Sequence, residues 1–384
     1  MSKKFRPVPY KKFTSPVELE ITRLDEYGQG IAFFEDLEIY VENTVPGDCI
    51  SCLIGEPFAN GSKRRSGTVE RMIRYSPDRD PNLGSFSDSS VFAYGNLSYE
   101  ASLRYKRHQI EAVLNKLQGA YEPQAQIEMV RSDLSEPVRL KSIRYFSKGS
   151  SGIVCGFFKA RSHKVIENYH VPLEPRWFGE FSWKLCRLMN ELGCPAYDET
   201  AHLGILRNIL LRDTVKGRLA VLTVFSELPE AVTEAYLKLA HEYCVEGVFV
   251  CINSSTGNQV LSDRIISLGA CETIPLKLLG YEFRVGPQTF VQVNYNIAKK
   301  LYQCAVDWCG REPDGSALDL CCGIGTMTLP LSRNFKNVTG IEISPASVQA
   351  ARMNAELNRV KNADFIAGDL KDCIAELTSR DNIR

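Results

Sequence analysis

Three groups of residues in the last quarter of the chain have types and positions suited to holding a nucleoside. The turn Cys322–Gly325 lets the backbone approach a ligand closely, because glycine has no Cβ. Glu342 follows about 20 residues later, at the predicted end of a second strand, where a carboxylate accepts hydrogen bonds from ribose hydroxyls. Asp369 follows a third predicted strand, where a carboxylate can meet the amino group of adenine. Together these residues indicate a site for an adenosine group.

The glycine turn differs from the fingerprint of dinucleotide-binding enzymes. It lacks the third glycine of the GxGxxG pattern, so nothing in it specifically cradles a pyrophosphate. Asp319, near the end of the first predicted strand, adds an acid typical of nucleoside binding without phosphate. A ligand with an adenosine, no phosphate and a cationic centre fits better than NAD, and S-adenosylmethionine is such a ligand. A generic nucleotide-binding sheet is the alternative on these residues alone.

The segment from residue 295 onward predicts the elements that would position this site. Strands and helices alternate there at the pace of a doubly wound parallel sheet, which binds ligands at the carboxyl ends of its strands. The expected order is a helix over 296–309, a strand over 317–321, a strand over 338–343, a helix over 345–358 and a strand over 363–366.

Two further regions precede this sheet. Residues 14–76 alternate apolar and polar side chains in short runs separated by turns, which predicts a small β-barrel. An amphipathic helix is expected over 98–118, and residues 140–290 mix strands and helices as an α+β domain does. The apolar face expected for the helix over 98–118 consists of Leu103, Ile110, Val113, Leu114 and Leu117.

The composition indicates which binding partners and which cellular compartment to expect. Lys plus Arg and Asp plus Glu both number 46, so no net charge draws the chain to nucleic acid. No apolar run reaches the about 20 residues that span a bilayer, and the first residues lack the apolar core of a secretory signal. The thirteen cysteines then indicate free thiols in a reducing compartment, the cytoplasm. Cys49 and Cys52 form a CxxC pair, for which core packing is a better interpretation than zinc.

Three local basic clusters in the first third of the chain, interleaved with tyrosines, favour a polyanion partner. Taken alone, each cluster is more simply explained as part of a solvent-exposed surface. The clusters are Lys3, Lys4, Arg6, Lys11 and Lys12; Lys63, Arg64, Arg65, Arg71 and Arg74; and Arg104, Lys106 and Arg107.

The chain resembles the TRAM-domain uracil-C5 RNA methyltransferases that modify 23S ribosomal RNA. The resemblance rests on FVQVN at Phe290–Asn294, followed by a helix and then LDLCCGIGT at Leu318–Thr326. It extends over nearly the whole chain: residues 14–76 resemble the TRAM barrel, and Gly156–Ile166 and Ile252–Asn253 resemble parts of the central RNA-binding domain. It implies a multidomain α/β protein with three domains.

The implied domains are a TRAM/OB-like β-barrel over 1–78, a central α+β RNA-binding domain over 79–290 and a Rossmann-like methyltransferase sheet over 291–384. The last of these contains only the first three βα units of the family's sheet.

The resemblance also implies which residues contact S-adenosylmethionine. The positions that match the family's cofactor contacts are Gln292, Cys321, Thr326, Glu342 and Asp369. Gly323 of the glycine turn is added to this set. Cys321 departs from the family, which usually has Phe or Tyr there, and a thiol offers less stacking surface.

In the family, a cysteine thiolate adds to C6 of uracil, C5 takes the methyl group, and a carboxylate base then removes the C5 proton. The base must be unstacked, which favours a single-stranded or looped uridine. The family's Asp-Pro motif, its cysteine and its base follow the third βα unit, and none of them is among these 384 residues. We therefore expect a C-terminally truncated enzyme without catalytic residues, inactive alone. Cys321, Cys322 and Cys373 are interpreted as core or cofactor-wall thiols.

Some members of the family hold an iron–sulfur cluster, whose ligands are cysteine thiolates. The corresponding stretches, Leu83–Phe92 and the region around Val171–Leu173, contain no cysteine. We therefore expect no iron–sulfur cluster and no other metal.

The sequence thus predicts C5 methylation of a uridine in 23S ribosomal RNA by a cytoplasmic protein, monomeric at full length, that binds neither DNA nor membranes. Two alternatives stay open: a non-catalytic RNA-binding fragment, and uridine-C5 methylation of tRNA. A nicotinamide-dependent oxidoreductase is disfavoured, because it leaves Gln292 and Asn294 unexplained.

Overall fold

The structure is a computed structural model, and it describes residues 11–59, 61–80, 93–116, 127–133, 137–159 and 162–373. These residues form a mixed α/β protein with several sheets, as predicted. The chain divides into two compact units, Met1–Met129 with Phe157–Ile166, and Val130–Gly156 with Glu167–Arg384. No helix among the described residues is long and apolar enough to cross a membrane.

The first unit contains a six-stranded sheet. Its strands are β1 (Val17–Glu20), β2 (Arg23–Leu24), β3 (Gly30–Phe34), β4 (Leu37–Val41), β5 (Cys49–Pro57) and β6 (Arg64–Arg74), in the spatial order β1-β5-β6-β4-β3-β2. Leu19, Ile39 and Ile50 are buried in its core between more exposed neighbours, which is the alternation that predicted the strands. Cys52 is buried in the same core, and Arg74 Nη2 lies 3.0 Å from Cys49 Sγ.

The second basic cluster is only partly a surface feature. Arg65 is 5% exposed, donates to the carbonyl oxygens of Lys11 and Gly55, and lies over the Phe13 ring. Its charge is therefore used inside the unit, and the prediction that it is available to a partner was wrong. Lys3, Lys4, Arg6 and the stretch Leu83–Phe92 lie outside the described residues.

Helix α1 (Tyr99–Lys116) confirms the helix predicted over 98–118, but two residues of its predicted apolar face are exposed; Leu114 is half-buried and Leu117 lies outside the described residues. Leu103 is buried, whereas Ile110 and Val113 are 44% and 57% exposed. The first two turns of the helix pack, with Ala101 in a cluster with Leu24, Val45 and Leu97 and with Tyr105 against that cluster.

The second unit has a large sheet with two helices on one face. Its strands are β7 (Lys141–Lys148), β8 (Ile153–Phe158), β10 (Leu206–Asp213), β11 (Arg218–Val224), β12 (Gly247–Ile252) and β13 (Ile265–Ser267), in the order β13-β12-β11-β10-β7-β8; β9 is the short strand Val165–Glu167. Helices α2 (Arg176–Glu191) and α3 (Glu230–Glu242) form a core with one face of the sheet. The opposite face packs against a hairpin, β14 (Ile274–Leu278) and β15 (Tyr281–Val285), and against residues of the glycine turn.

A three-stranded parallel sheet completes this unit, as the sequence predicted. Its elements are α4 (Tyr295–Cys309), β16 (Glu312–Leu320), α5 (Thr328–Leu331), β17 (Phe335–Glu342), α6 (Pro345–Leu357) and β18 (Ala363–Ala367), and the strand order is β16-β17-β18. The spacing in the sequence predicts that Ile297, Leu301, Ala305 and Trp308 share the packed face of α4, and this prediction was one residue out of phase. Ala298 and Val306 are buried, whereas Leu301 and Trp308 are 49% and 87% exposed.

A buried ion pair fixes β7, a strand that sequence reasoning missed. Arg144 Nη2 donates to Glu174 Oε2 at 2.6 Å, and both side chains are 1% exposed. Arg144 Nη1 also donates to Ser142 Oγ at 2.7 Å. The pair joins the strand to the segment that leads into α2.

Replacing Glu174 with alanine should lower the free energy of unfolding by about 3–5 kcal/mol, because Arg144 would stay buried without its counter-charge. Urea unfolding followed by circular dichroism measures the loss. The matched control is Glu180→Ala, which breaks an exposed pair with Arg176 and should cost less than about 1 kcal/mol. Equal losses in the two variants would contradict this account of the pair.

Candidate cofactor site

The glycine turn is held between the end of β16 and the start of α5. Thr328 Oγ1 donates to Asp319 Oδ2 at 2.6 Å, which closes the loop between strand and helix. Burial raises the pKa of the Asp319 carboxyl, and the hydrogen bond from Thr328 partly opposes that rise. From α6, the buried Asn354 donates to the carbonyl oxygen of Ile324 at 3.1 Å. Asp319 therefore shapes the turn through Thr328.

The turn adopts left-handed backbone conformations and is joined to the second strand. Cys321, Gly323 and Gly325 have φ values of 65°, 56° and 87°. The Gly323 N–H donates to Glu342 Oε2 at 3.1 Å, and the other carboxylate oxygen accepts from the Ser344 N–H at 3.0 Å. Glu342 is thereby fixed in orientation at the carboxyl end of β17.

The two glycines of the turn have different surroundings. A Cβ built on Gly323 would meet no protein atom within 4 Å, whereas one on Gly325 would lie 3.0 Å from Leu329 Cδ1. Gly325 is therefore closely packed, and its φ of 87° also favours glycine. Gly323 presents its backbone to open space beside the Glu342 carboxylate, which is where a ligand can approach.

The end of β18 lies beside the end of β17. The Gly368 N–H donates to the carbonyl oxygen of Glu342 at 3.0 Å, so the exposed Asp369 follows directly after this contact. Asp369 Oδ1 accepts from the Lys371 N–H at 2.9 Å. The structure thus brings Gly323, Glu342 and Asp369 to one edge of the parallel sheet.

Gln292 belongs to a second group. It precedes α4, whose N-cap Asn294 accepts from the Ile297 N–H and donates to Ser132 Oγ at 2.8 Å. Gln292 and Thr326 line one narrow cavity, which neither Glu342 nor Asp369 lines. The predicted site residues therefore form two groups, one at the sheet edge and one at the cavity. Gly323 of the first group and Thr326 of the second lie in the same loop, which also contains the exposed Cys321.

Cys322, beside the glycine turn, is a core thiol. Cys322 is 4% exposed and packs in the core with Ile324 and Phe365. Burial, reinforced by the nearby Asp319, raises the pKa of the Cys322 thiol to about 12, so it is protonated at neutral pH. Among the residues described, no group of three or more His, Cys, Asp or Glu side chains is arranged to hold a metal ion.

Comparison with known proteins assigns the chain to a family. The family model described as tRNA (Uracil-5-)-methyltransferase matches residues 98–377. The chain belongs to this family. Its members are S-adenosylmethionine-dependent enzymes that methylate uracil in RNA, and RNA methylation is therefore the activity of this chain's family.

Individual relatives agree with this assignment. The chain is 25% identical to an uncharacterized RNA methyltransferase of Fusobacterium nucleatum, with 96% of this chain and 79% of the relative covered. It is 27% identical to one of Halalkalibacterium halodurans, with 96% and 80% covered. The structure resembles the Pyrococcus abyssi tRNA (uracil-54, C5)-methyltransferase in complex with S-adenosyl-L-homocysteine, with a TM-score of 0.70, 21% identity, and 91% of this chain and 79% of that chain covered. That last likeness is one of fold.

The residues at the sheet edge fit S-adenosylmethionine. The backbone of Gly323 is open, and the carboxylate of Glu342, held by two backbone N–H groups, has lone pairs left for ribose hydroxyls. When bound, the cofactor supplies an electrophilic methyl group, and the chain's part is to orient it.

Sequence reasoning missed two cations of the cavity that Gln292 lines. Lys141 and Arg212 both belong to its wall. The sequence does contain a signal for them, which is a basic residue within each of two mostly apolar runs, LKSI at 140–143 and ILLRD at 209–213.

Replacing Glu342 with glutamine should weaken binding of S-adenosylhomocysteine about tenfold or more, because the amide removes the charge and one of the acceptors. Isothermal titration calorimetry measures the affinity. Glu356→Gln, which changes an exposed glutamate on α6, is the matched control and should bind as the parent does. Unchanged affinity in the Glu342 variant would remove this residue from the site.

Proposed function

We propose that this chain directs S-adenosylmethionine-dependent methylation to C5 of a uridine in 23S ribosomal RNA. In this proposal residues 1–384 bind both reactants without supplying the thiolate that attacks C6. The observation that carries the cofactor part is the Gly323 N–H bond to Glu342 beside an open turn. The cofactor contacts proposed are Gln292, Cys321, Gly323, Thr326, Glu342 and Asp369.

The RNA part of the proposal is supported by the first unit. It contains a sheet of six short strands, which a TRAM barrel over residues 14–76 would require. We propose a TRAM domain over 1–78, a central RNA-binding domain over 79–290 and a methyltransferase domain over 291–384. Several cations of this unit pair with carboxylates at the surface, such as Lys63 with Asp36 at 2.8 Å. Exposed pairs of this kind contribute little, so an RNA phosphate can replace the carboxylate.

The proposal that the thiolate is missing rests on the thiols nearest the turn. Cys322 is buried with a raised pKa, and Cys321 occupies the position where the family places a cofactor-contacting aromatic residue. Cys373 lies against Gly368, where an added Cβ would be 2.6 Å from its sulfur. The acid nearest Cys322, Asp319, raises the pKa of its thiol further and so does not activate it. Further parts of the proposal are a cytoplasmic location, a monomer at full length and no iron–sulfur cluster.

Uridine-C5 methylation of tRNA is the second candidate. It is favoured by the family description and by the fold shared with an enzyme named for uracil 54 of tRNA. The chemistry at the cofactor is the same in both cases, so only the RNA distinguishes them.

Filter binding to unmodified 23S ribosomal RNA fragments and to tRNA transcripts distinguishes the two substrates. We expect at least about tenfold tighter binding to a looped 23S fragment than to tRNA, and weak binding to DNA of the same sequence, which lacks the 2′-hydroxyl groups. Preference for tRNA would overturn the ribosomal assignment and leave the methylation chemistry in place.

Incubation of the same protein with tritium-labelled S-adenosylmethionine and each RNA tests turnover. We expect cofactor binding without label in the RNA, because in this proposal residues 1–384 do not supply the thiolate. Label in either RNA would show that residues 1–384 contain the nucleophile after all.

A further inference from the structure

Two cations face each other in the cavity beside the cofactor turn. Lys141 on β7 pairs in register with Arg212 on the antiparallel strand β10. Residues directly opposite across such a pair have Cβ atoms about 4.5–5.5 Å apart and lie on the same face of the sheet. Both side chains line the cavity that Gln292 and Thr326 also line.

Arg212 is buried without a carboxylate partner. It is 1% exposed, and its guanidinium donates to the carbonyl oxygens of Gly286 at 3.2 Å and Thr289 at 2.7 Å and to Thr289 Oγ1 at 3.2 Å. Its Nε has no hydrogen-bond partner. These bonds hold the loop that leads to Gln292, but they leave the positive charge uncompensated.

Lys141 is uncompensated as well. Among the described residues, no carboxylate is recorded within salt-bridge distance of its ammonium group. Asp213 also belongs to the cavity wall, but its carboxylate has a cation of its own, Arg218, with Nε at 3.8 Å, and accepts from Trp177 Nε1 at 2.8 Å and from the Val215 N–H at 2.6 Å. Burial, together with Arg212 and Arg139, lowers the pKa of Lys141 to about 8.

Like charges placed opposite each other on a sheet destabilise it, and burying them increases that cost. An anion between them would offset both effects through charge-assisted hydrogen bonds. The cavity is narrow, with a free volume of about 20 Å³, which suits a single oxyanion group.

We propose that Lys141 and Arg212 form an oxyanion site that binds an anionic group of one of the two reactants next to the turn. The group is either the methionyl carboxylate of S-adenosylmethionine or a phosphate of the target RNA strand. The inference rests on the proposed function and adds to it the residues that hold this charge. Lys141 acts in binding, and Arg212 both binds and positions the loop before Gln292.

The test compares Lys141→Gln with the parent protein, because Arg212 also supports the loop and its loss would confuse binding with folding. Three ligands are titrated: S-adenosylhomocysteine, 5′-methylthioadenosine, which lacks the amino-acid carboxylate, and a looped 23S ribosomal RNA fragment. Lys216→Gln, at an exposed lysine of the turn after β10, is the matched control. Lys141→Arg retains the charge and should retain the affinity.

If the carboxylate is the occupant, Lys141→Gln should weaken S-adenosylhomocysteine about tenfold and leave 5′-methylthioadenosine unchanged. If a phosphate is the occupant, only RNA affinity should fall by a similar factor. Equal weakening of both nucleosides, or no change in any ligand, would overturn the oxyanion site while the parent still binds cofactor and RNA. A parent protein that binds neither S-adenosylhomocysteine nor RNA would overturn the proposed function itself.

Discussion

The hydrogen bond from the Gly323 N–H to the Glu342 carboxylate is the contact on which the proposed cofactor site depends. It forms only because β16 and β17 are parallel, so that both strands end at the same edge and residues far apart in sequence meet there. The left-handed backbone of the turn aims the N–H toward the acid, and Thr328 and Asn354 hold the turn from two helices. Loss of any of these supports would misplace Glu342 or the open backbone beside it.

Two cations of strand β7 differ in whether a carboxylate compensates their charge. Arg144 meets Glu174 and forms a closed pair, which makes it a structural residue. Lys141, three positions earlier, faces Arg212 with no carboxylate between them among the described residues. A protein interior tolerates an uncompensated cation only at a cost, and such sites are where ligands of opposite charge bind. In the proposed oxyanion site, the strand would link the stability of the unit to the binding of a reactant.

Much of the fold could be predicted from the sequence because its signals are local. Period-2 alternation identified the strands of the first unit, and the glycine turn with its following acid identified the parallel sheet. The packed faces of α1 and α4 were predicted less well. Ile110 and Trp308 are apolar and correctly spaced, yet they are exposed, because burial depends on which neighbouring element covers a helix and spacing alone does not specify it. β7 and β10 were missed because Arg144 and Arg212 interrupt apolar runs, and only tertiary structure provides their partners.

The sequence by itself determined the chemistry available to this protein: a turn that lets a nucleoside approach, acids at the ends of successive strands, and the motifs that mark the family. These are properties of residue type and spacing along one chain. Tertiary structure alone decided that Gly323 is open while Gly325 is packed, that Cys322 is a protonated core thiol, and that Lys141 and Arg212 share a cavity with Gln292. Those outcomes depend on distances between segments that are far apart in sequence; Lys141 and Gln292, for example, are about 150 residues apart. Residue spacing within one segment contains no information about such distances.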